Sequence, residues 1–463
     1  MPDTVLSRRE LLAAGAAACA TVAAACGSEA AQQSPASSPA SSRRLLLKGG
    51  CVLSLDPAIG DFDAADVLIE GTRIADIRPS ITADAEVVDA AGTIVMPGFV
   101  DTHRHMWQGA LRSILPDGLL SDYTRDVTGT ARSVMRPEDA HIGDLVSALG
   151  ALNAGVTTVL DWSHIGNSPA HADACIDALR ASGIRAVYGY SGSATELRRL
   201  RTQAFASSDQ LLTLAYATGA SPEAWAAARE VGASISLHAG GALDTVAAVM
   251  GPDVTYIHGT TFTAAAWKRI ADSGGHLSIA APIEMEMGHG IPPIQPALDH
   301  GIRPSLSVDV ETQMPSDFFT QMRTIFTLQR MQALARQRDG DAAAPRLLTV
   351  REVVEFATIA GATANRLDAK IGTLTPGKEA DVVLLRMDAI NVLPVNNAYG
   401  AIVVGMDTSN VDTVIVRGAV RKRGGRLVDV DMARINRLAQ ESRDFIFGKT
   451  GWTRTRVGPG MPG

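Results

Sequence analysis

The stretch Gly98-Phe99-Val100-Asp101-Thr102-His103-Arg104-His105 has the pattern of a buried β-strand that ends in a metal-binding pair. Its first four residues form a short, largely apolar run, as expected of a strand in a parallel sheet. His103 and His105 lie two residues apart, so their side chains project from the same side of an extended chain. The stretch therefore predicts a strand whose end presents two imidazoles that can share one metal ion.

Seven further short runs share this pattern and alternate with longer segments of helical character. They are Thr158–Asp161, Arg185–Tyr188, Leu211–Leu214, Ser234–Leu237, Val254–Ile257, His276–Ile279 and Pro304–Val308. Strands that alternate with helices form parallel sheets, and eight such units close into a barrel. The sequence therefore predicts an α/β fold with a (β/α)8 TIM barrel over residues 97–368.

Short alternating strands with turn residues between them flank this central region. They occupy residues 43–96 before the barrel and return at residues 369–432 after it, for example in Val382-Val383-Leu384-Leu385. We expect the two segments to combine into one small β-sandwich. Residues 433–463 are predicted to form a C-terminal helix and tail.

The composition of the 463-residue chain is that of a globular protein, with 46% hydrophobic and 20% charged residues. A net charge of −7 argues against a nucleic-acid partner, because that interaction needs a clustered positive field. A small molecule is therefore the expected ligand. The sequence leaves open whether copies of the chain assemble into a homo-oligomer.

Residues 1–42 have the composition of a targeting leader and a tether. Ser7-Arg8-Arg9-Glu10-Leu11-Leu12 resembles the twin-arginine export motif, and an alanine-rich apolar run extends from Leu11 to Ala25. Cys26 ends a lipoprotein-like box and is a candidate lipid anchor, the only membrane attachment that we expect. Residues Gln32 to Ser42, rich in Ser, Ala and Pro, are typical of a flexible tether. These features predict export to the cell envelope or the extracellular space.

Three other barrel strands end in residues that bind metals. His238 follows the fifth run, His258 the sixth and Asp309 the eighth. In a TIM barrel the strand ends at the C-terminal face meet at one rim, so these side chains should join the first histidine pair. Four imidazoles and one carboxylate at one rim predict a divalent metal site.

Three motifs together resemble the amidohydrolase superfamily, nearest to its cytosine deaminase and triazine hydrolase branch. They are Met96-Pro97-Gly98-Phe99-Val100-Asp101-Thr102-His103-Arg104-His105, Ala154-Gly155-Val156-Thr157-Thr158-Val159 and Gly372-Thr373-Leu374-Thr375-Pro376-Gly377-Lys378-Glu379-Ala380-Asp381. The resemblance implies that His103, His105, His238 and Asp309 bind the metal and that His258 lies near the substrate.

Binuclear members of the superfamily carry a carbamylated lysine at the end of the fourth strand. The sequence has no lysine between Lys48 and Lys268. The resemblance therefore implies a mononuclear site for one divalent ion, with zinc the expected metal and iron or manganese as alternatives.

One position departs from the deaminases of this branch, which usually carry a proton-transferring glutamate three residues after the histidine of strand five. Gly241 stands there, three residues after His238. We consider Glu284 and Glu286 as replacements, since alternate residues of an extended segment would face the same side. Glu311 is a third candidate, which could bind the substrate or orient a metal ligand.

Other polar side chains next to the strand ends are candidate substrate-binding residues. Trp107 and Gln108 follow the first histidine pair, and Asp161 and His164 follow the second run. Ordinary packing at the rim is the competing interpretation for each of them. His289, in the loop after the seventh run, is left open between a structural and a functional role.

The sequence thus predicts a metal-dependent amidohydrolase that uses activated water to attack a C–N or similar bond of a small, heterocyclic substrate. His258 and Asp309 would transfer the protons. Because the usual glutamate is absent, a metal-dependent lyase or isomerase stays open as an alternative. The third interpretation is a non-catalytic, exported lipoprotein that binds a metal or a solute. It is the least favoured, because binding alone does not require all four metal ligands and His258.

Overall fold

The computed structural model describes residues 43–453, so the predicted leader and tether, Cys26 and the end of the C-terminal tail lie outside the described residues. The N-terminal part folds into strands β1 (Arg44–Leu53), β2 (Asp61–Glu70), β3 (Arg73–Arg78), β4 (Glu86–Asp89) and β5 (Thr93–Pro97). The pairing of β1 with β2 shifts register around Gly50. A Cβ atom at Gly50 would lie 2.5 Å from the side chain of Val95, so this crossing of β1 and β5 requires glycine.

The eight predicted barrel runs all form strands, and each strand is parallel to its neighbours. They are β6 (Phe99–Arg104), β7 (Val156–Ser163), β8 (Arg185–Tyr190), β9 (Leu212–Ala217), β10 (Ser234–Gly241), β11 (Val254–Phe262), β12 (His276–Ile279) and β13 (Ser305–Leu306). The last strand returns to the first just beyond β13, where the Asp309 amide donates to the His103 carbonyl at 3.0 Å. The His105 amide donates in turn to the Asp309 carbonyl at 2.9 Å. The predicted barrel fold is therefore confirmed.

Helices connect the barrel strands and cover their outer surface. The α-helices of six or more residues within residues 43–453 are α1 (Pro137–Asn153), α2 (Pro169–Ser182), α3 (Ala194–Gln203), α4 (Pro222–Glu230), α5 (Ala264–Ser273), α6 (Ala281–Glu286), α7 (Ile294–Asp299), α8 (Phe318–Arg338), α9 (Val350–Glu355) and α10 (Met432–Thr450). Several begin at side-chain caps; for example, the Ser193 hydroxyl accepts the Glu196 amide and starts α3. None of the helices in this range combines the length and apolar character needed to span a membrane.

The C-terminal segment adds strands β14 (Val382–Arg386), β15 (Val411–Val416), β16 (Ala419–Arg423) and β17 (Arg426–Leu427) to the N-terminal ones. β14 pairs with β5, so both segments form one mixed sheet of nine strands. At its far edge Ile74 of β3 exchanges two backbone hydrogen bonds with residues 377 and 378, just before β14. Apolar residues from both segments share a single core.

A buried ion-pair network joins the barrel to this sheet. Arg185, the first residue of β8, donates to Asp381 at 2.7 Å and to Glu379 at 2.6 Å, and all three residues are buried. Glu379 and Asp381 end the third of the sequence motifs described above. The charged end of that motif therefore holds the sheet against the base of the barrel.

Candidate metal and active site

Five predicted side chains converge at the C-terminal end of the barrel. His103 lies in β6, His238 in β10 and His258 in β11, whereas His105 and Asp309 directly follow their strands. The Nε2 atom of His103 lies 3.1 Å from Nε2 of His238 and 3.0 Å from Oδ1 of Asp309. The Nε2 atom of His105 is 3.5 Å from the same carboxylate oxygen.

The spacing of these donor atoms fits a metal ion. Metal bonds of 2.0–2.1 Å in a tetrahedral site place neighbouring ligand atoms about 3.3 Å apart. The observed separations of 3.0–3.5 Å fall around that value. Two imidazole nitrogens facing each other at 3.1 Å are also well placed to share a cation. The residues present therefore fit one divalent ion.

The protonation states of the ligands suit metal binding as well. Nδ1 of His105 donates to the Trp162 carbonyl at 2.8 Å, which leaves Nε2 free as a ligand atom. Burial lowers the pKa of His105 to about 3, so its imidazole is neutral near pH 7. Burial alone would raise the pKa of Asp309, but the imidazoles of His103 and His258 hold it well below its usual range. The carboxylate is therefore ionised.

Two residues of the site adopt an unusual backbone conformation. His258 and Asp309 have φ angles of 67° and 68°, in the left-handed region that residues other than glycine seldom occupy. Such strain is characteristic of functional sites, where the surrounding structure imposes it. In Asp309 the two backbone hydrogen bonds to the end of β6 hold the conformation, and they turn its carboxylate toward the histidines.

His258 is held from behind by a buried carboxylate. Its Nδ1 lies 3.1 Å from Oε1 of Glu284, and the same oxygen accepts the Ala280 amide at 2.9 Å. On its other side, Nε2 of His258 lies 3.6 Å from Oδ2 of Asp309. Burial lowers the pKa of His258, but the hydrogen bond that it donates to Glu284 and the charge of Asp309 reverse this effect and raise it. Burial raises the pKa of Glu284 against the influence of His258.

A family model of the amidohydrolase family matches residues 94–421, which include the barrel strands and all five side chains of this site. The chain belongs to the amidohydrolase family. It is therefore a metal-dependent hydrolase that acts on C–N bonds, as predicted from the sequence.

Relatives and solved structures resemble this amidohydrolase over most of its length. The 5'-deoxyadenosine deaminase of Methanosarcina mazei is 25% identical over 446 residues, which cover 87% of this chain and 98% of the relative. The 5-methylthioadenosine/S-adenosylhomocysteine deaminase of Desulforudis audaxviator is 27% identical over 423 residues, which cover 83% of this chain and 96% of the relative.

Two solved structures share the fold. An adenosine deaminase from Xanthomonas campestris with bound zinc superposes with a TM-score of 0.76 at 22% identity, covering 87% of this chain and 98% of that one. A mutant of the atrazine chlorohydrolase of Arthrobacter aurescens, in complex with zinc and atraton, superposes with a TM-score of 0.74 at 21% identity. The match covers 86% of this chain and 100% of that one.

The structure separates the two glutamates expected to face the same side. Glu284 and Glu286 lie on helix α6, not on an extended segment, and residues two positions apart point to different faces of a helix. Glu284 is fully buried against His258. The side chain of Glu286 is exposed and makes no ion pair with residues 43–453. The expectation that both would face one side is wrong, and Glu286 stands outside the site.

Glu311 is also buried, but it is engaged below the site. Its Oε1 lies 2.7 Å from Arg112 and 3.7 Å from Arg104, and it accepts the Ser316 hydroxyl. Arg104 in turn donates to Asp101 at 2.8 Å. This network connects Glu311, two residues after Asp309, to Arg104 between the two histidines of the first pair. Glu311 is therefore placed to orient the neighbouring site residues.

The other candidate substrate-binding residues lie close to the first histidine pair. Trp107 is buried and donates through Nε1 to Nδ1 of His164 at 2.9 Å. The His164 ring stacks on His105 with their centroids 4.1 Å apart. Trp107 therefore holds His164, and His164 holds the ring of His105. His164 is half-buried, whereas Trp107 is fully buried.

Gln108 and Asp161 differ in their surroundings. Gln108 is buried and donates to the Tyr123 hydroxyl at 2.5 Å, while its Oε1 has no partner among residues 43–453. Asp161 accepts a hydrogen bond from the Met106 amide at 3.2 Å, and burial raises the pKa of this carboxyl above its usual range. Gln108 thus retains a free acceptor, whereas Asp161 supports the backbone behind the site.

Sequence patterns gave little indication of two further residues at the site. Tyr123 lies in a π-helical segment, Tyr123–Ala131, and its hydroxyl meets Gln108. His289, which the sequence left open, lies with its ring centroid 4.7 Å from that of His258. Burial lowers the pKa of His289, and the neighbouring His258 acts in the same direction. The histidine count alone identified His289; no pattern pointed to Tyr123.

Proposed function

We propose that the protein is a mononuclear deaminase that hydrolyses the exocyclic amino group of an adenine-type nucleoside with a modified 5' position. The observation that carries the proposal is the site itself, in which His103 lies close to His105 and Asp309 on one side and to His238 and His258 on the other. His258 also contacts the buried carboxylate of Glu284. The overall resemblance to 5'-deoxyadenosine and 5-methylthioadenosine/S-adenosylhomocysteine deaminases supports the substrate class.

His103, His105, His238 and Asp309 would hold the metal. When bound there, a divalent ion supplies an activated water nucleophile at neutral pH and polarises the reacting carbon centre. We propose zinc, in keeping with the zinc in two structures of similar fold. Iron or manganese found by elemental analysis would replace zinc in the proposal without changing the ligands.

The chain's own residues would move the protons. With Nδ1 of His258 facing Glu284, Nε2 is the atom left to exchange a proton, 3.6 Å from the Asp309 carboxylate. His258 and Asp309 would take the proton released when water adds to the ring carbon. They would return it to the departing amine, which leaves as ammonia while the ring carbon keeps the water oxygen.

Glu284 would act as a positioning residue in this scheme. Its Oε1 touches His258 and a backbone amide, so it sets the tautomer and the orientation of the ring and stabilises the imidazolium that forms during proton transfer. Gly241, where the related deaminases carry glutamate, is exposed, and open space surrounds the position that a Cβ would take. No side chain fills the position of that glutamate, and Glu284 would support proton transfer by holding His258.

The non-hydrolytic and non-catalytic alternatives have no support. Each relative and structural neighbour named above is a deaminase or a chlorohydrolase. The lyase and binding-lipoprotein interpretations are therefore not retained.

We further propose that residues 1–42 direct export by the twin-arginine route and that Cys26 anchors the mature protein to a membrane. The basis is the arginine pair, the apolar run and the cysteine in the sequence. Export would place the enzyme where it meets nucleosides outside the cytoplasm.

The test is a substrate panel assayed on purified, metal-analysed protein. It comprises 5'-deoxyadenosine, 5-methylthioadenosine, S-adenosylhomocysteine, adenosine and atrazine, with release of ammonia and of chloride measured separately. We expect ammonia from the modified adenosines and a metal content near one ion per chain. Chloride from atrazine without ammonia from any nucleoside would refute the deaminase assignment.

A further inference from the structure

His289 is presented to the site by a firmly held loop. It follows helix α6 and lies between two glycines, Gly288 and Gly290, whose φ angles are 77° and 127°. The backbone on either side is fixed, because the Met287 amide donates to Ile283 at 2.9 Å and the Gly290 amide donates to Glu284 at 3.2 Å. The two glycines allow the sharp change of direction that turns the ring toward the barrel.

The His289 ring points at His258, the residue assigned to proton transfer. Their centroids are 4.7 Å apart with the ring planes at 83°, an edge-to-face arrangement. Nε2 of His289 is buried and has no hydrogen-bond partner among residues 43–453. Buried polar atoms are nearly always hydrogen-bonded in native proteins, so this nitrogen needs a partner from outside the chain, and next to an active site a bound substrate can supply it.

His289 also lies on the same part of the rim as Gly241, where it can take the place of the missing side chain. The backbone pairing of β10 and β11 places Ala239 opposite His258, so Gly241 is close to the proton-transfer residue but carries no side chain. His289 reaches His258 from the loop after β12, the next strand of the barrel. A neutral imidazole offers a donor on one nitrogen and an acceptor on the other, which suits the mixed donors and acceptors along the edge of a heterocycle.

We propose that His289 is a substrate-binding residue whose Nε2 hydrogen-bonds a nitrogen on the edge of the substrate ring, replacing the side chain that is missing at Gly241. This inference rests on the proposed function and names a residue that recognises the same substrate. It separates two tasks at the site: His258 and Asp309 transfer protons, whereas His289 holds the ring.

The experiment compares His289→Ala and His289→Asn with His300→Ala as the matched control. His300 is another histidine after a short helix, but it contacts Pro296 at the N-terminal end of the barrel strands, near the start of β12. Each variant is analysed for metal content, thermal unfolding and the KM and kcat for 5'-deoxyadenosine. Calorimetric binding of the non-reacting product, 5'-deoxyinosine, supplies a readout that does not depend on turnover.

Loss of one neutral hydrogen bond should weaken product binding and raise KM about tenfold in His289→Ala. His289→Asn keeps a polar group and should recover part of that loss. Metal content should not change in either variant, and His300→Ala should bind like the wild type. If the wild type is active and His289→Ala has the same product affinity and KM as the wild type, the inference about His289 is wrong while the proposed function stands.

Two other results would also count against it. Loss of the metal in His289→Ala would show that the residue supports the metal site and does not bind the substrate. A wild-type protein that releases no ammonia from any nucleoside of the panel would overturn the proposed function, and the assignment of His289 would fall with it.

Discussion

Replacing Glu284 tests whether His258 depends on the carboxylate behind it. Nδ1 of His258 and the Ala280 amide both form hydrogen bonds to the same oxygen of Glu284, Oε1. In Glu284→Gln the amide oxygen can keep both hydrogen bonds, so the substitution removes the charge and little else. Glu284→Ala removes the charge, both hydrogen bonds and the acceptor of a buried backbone amide.

The expected sizes follow from those contacts. A hydrogen bond to a charged group contributes about 1.5–3 kcal/mol and a neutral one about 0.5–1.5 kcal/mol, so the charge alone accounts for about 1.4 kcal/mol. Glu284→Gln should therefore lower kcat about tenfold, and Glu284→Ala about 10². KM and metal content should stay near the wild-type values, because Glu284 is predicted to contact neither substrate nor metal.

The assay is steady-state ammonia release on 5'-deoxyadenosine, with metal content and thermal unfolding measured for each variant. Glu286→Gln is the matched control, since Glu286 lies two residues away on the same helix but is exposed. It should retain wild-type kinetics. Equal kcat in Glu284→Gln, Glu284→Ala and the wild type would refute the positioning role, and loss of metal would show that Glu284 is part of the metal site.

Three further predictions concern the metal, the barrel base and the leader. His103→Ala combined with His105→Ala should abolish metal binding, as measured by elemental analysis, while near-complete retention would contradict the ligand assignment. Arg185→Met should destabilise the fold by about 3–5 kcal/mol in urea unfolding, because it leaves the buried Asp381 without its cation and Glu379 with only Arg417 at 3.5 Å; a change below 1 kcal/mol would contradict this. Arg8→Lys with Arg9→Lys should retain the protein in the cytoplasm by cell fractionation, and normal export of this variant would exclude the twin-arginine route.

The sequence by itself determined the barrel and selected the five side chains that the structure brings together at its rim. Short apolar runs separated by helical segments follow directly from the geometry of a parallel barrel, and the predicted runs coincide with strands β6 to β13. His238 and Asp309 could be selected because they directly follow strands, and strand ends meet at one rim whatever the loops do. Both inferences depend only on local periodicity and on position along the chain.

Only the tertiary structure decided how the remaining polar residues are used. Glu284 and Glu286 look alike in the sequence, but the first turn after β12 is helical, so one side chain enters the site and the other faces solvent. Glu311 is bound to Arg112, a partner 199 residues away in the chain, and that distance leaves no periodic signal. The choice between a structural and a functional role for His289 needed the position of its ring beside His258. Side-chain direction in a loop and pairing over long distances are set by packing, which local sequence patterns do not record.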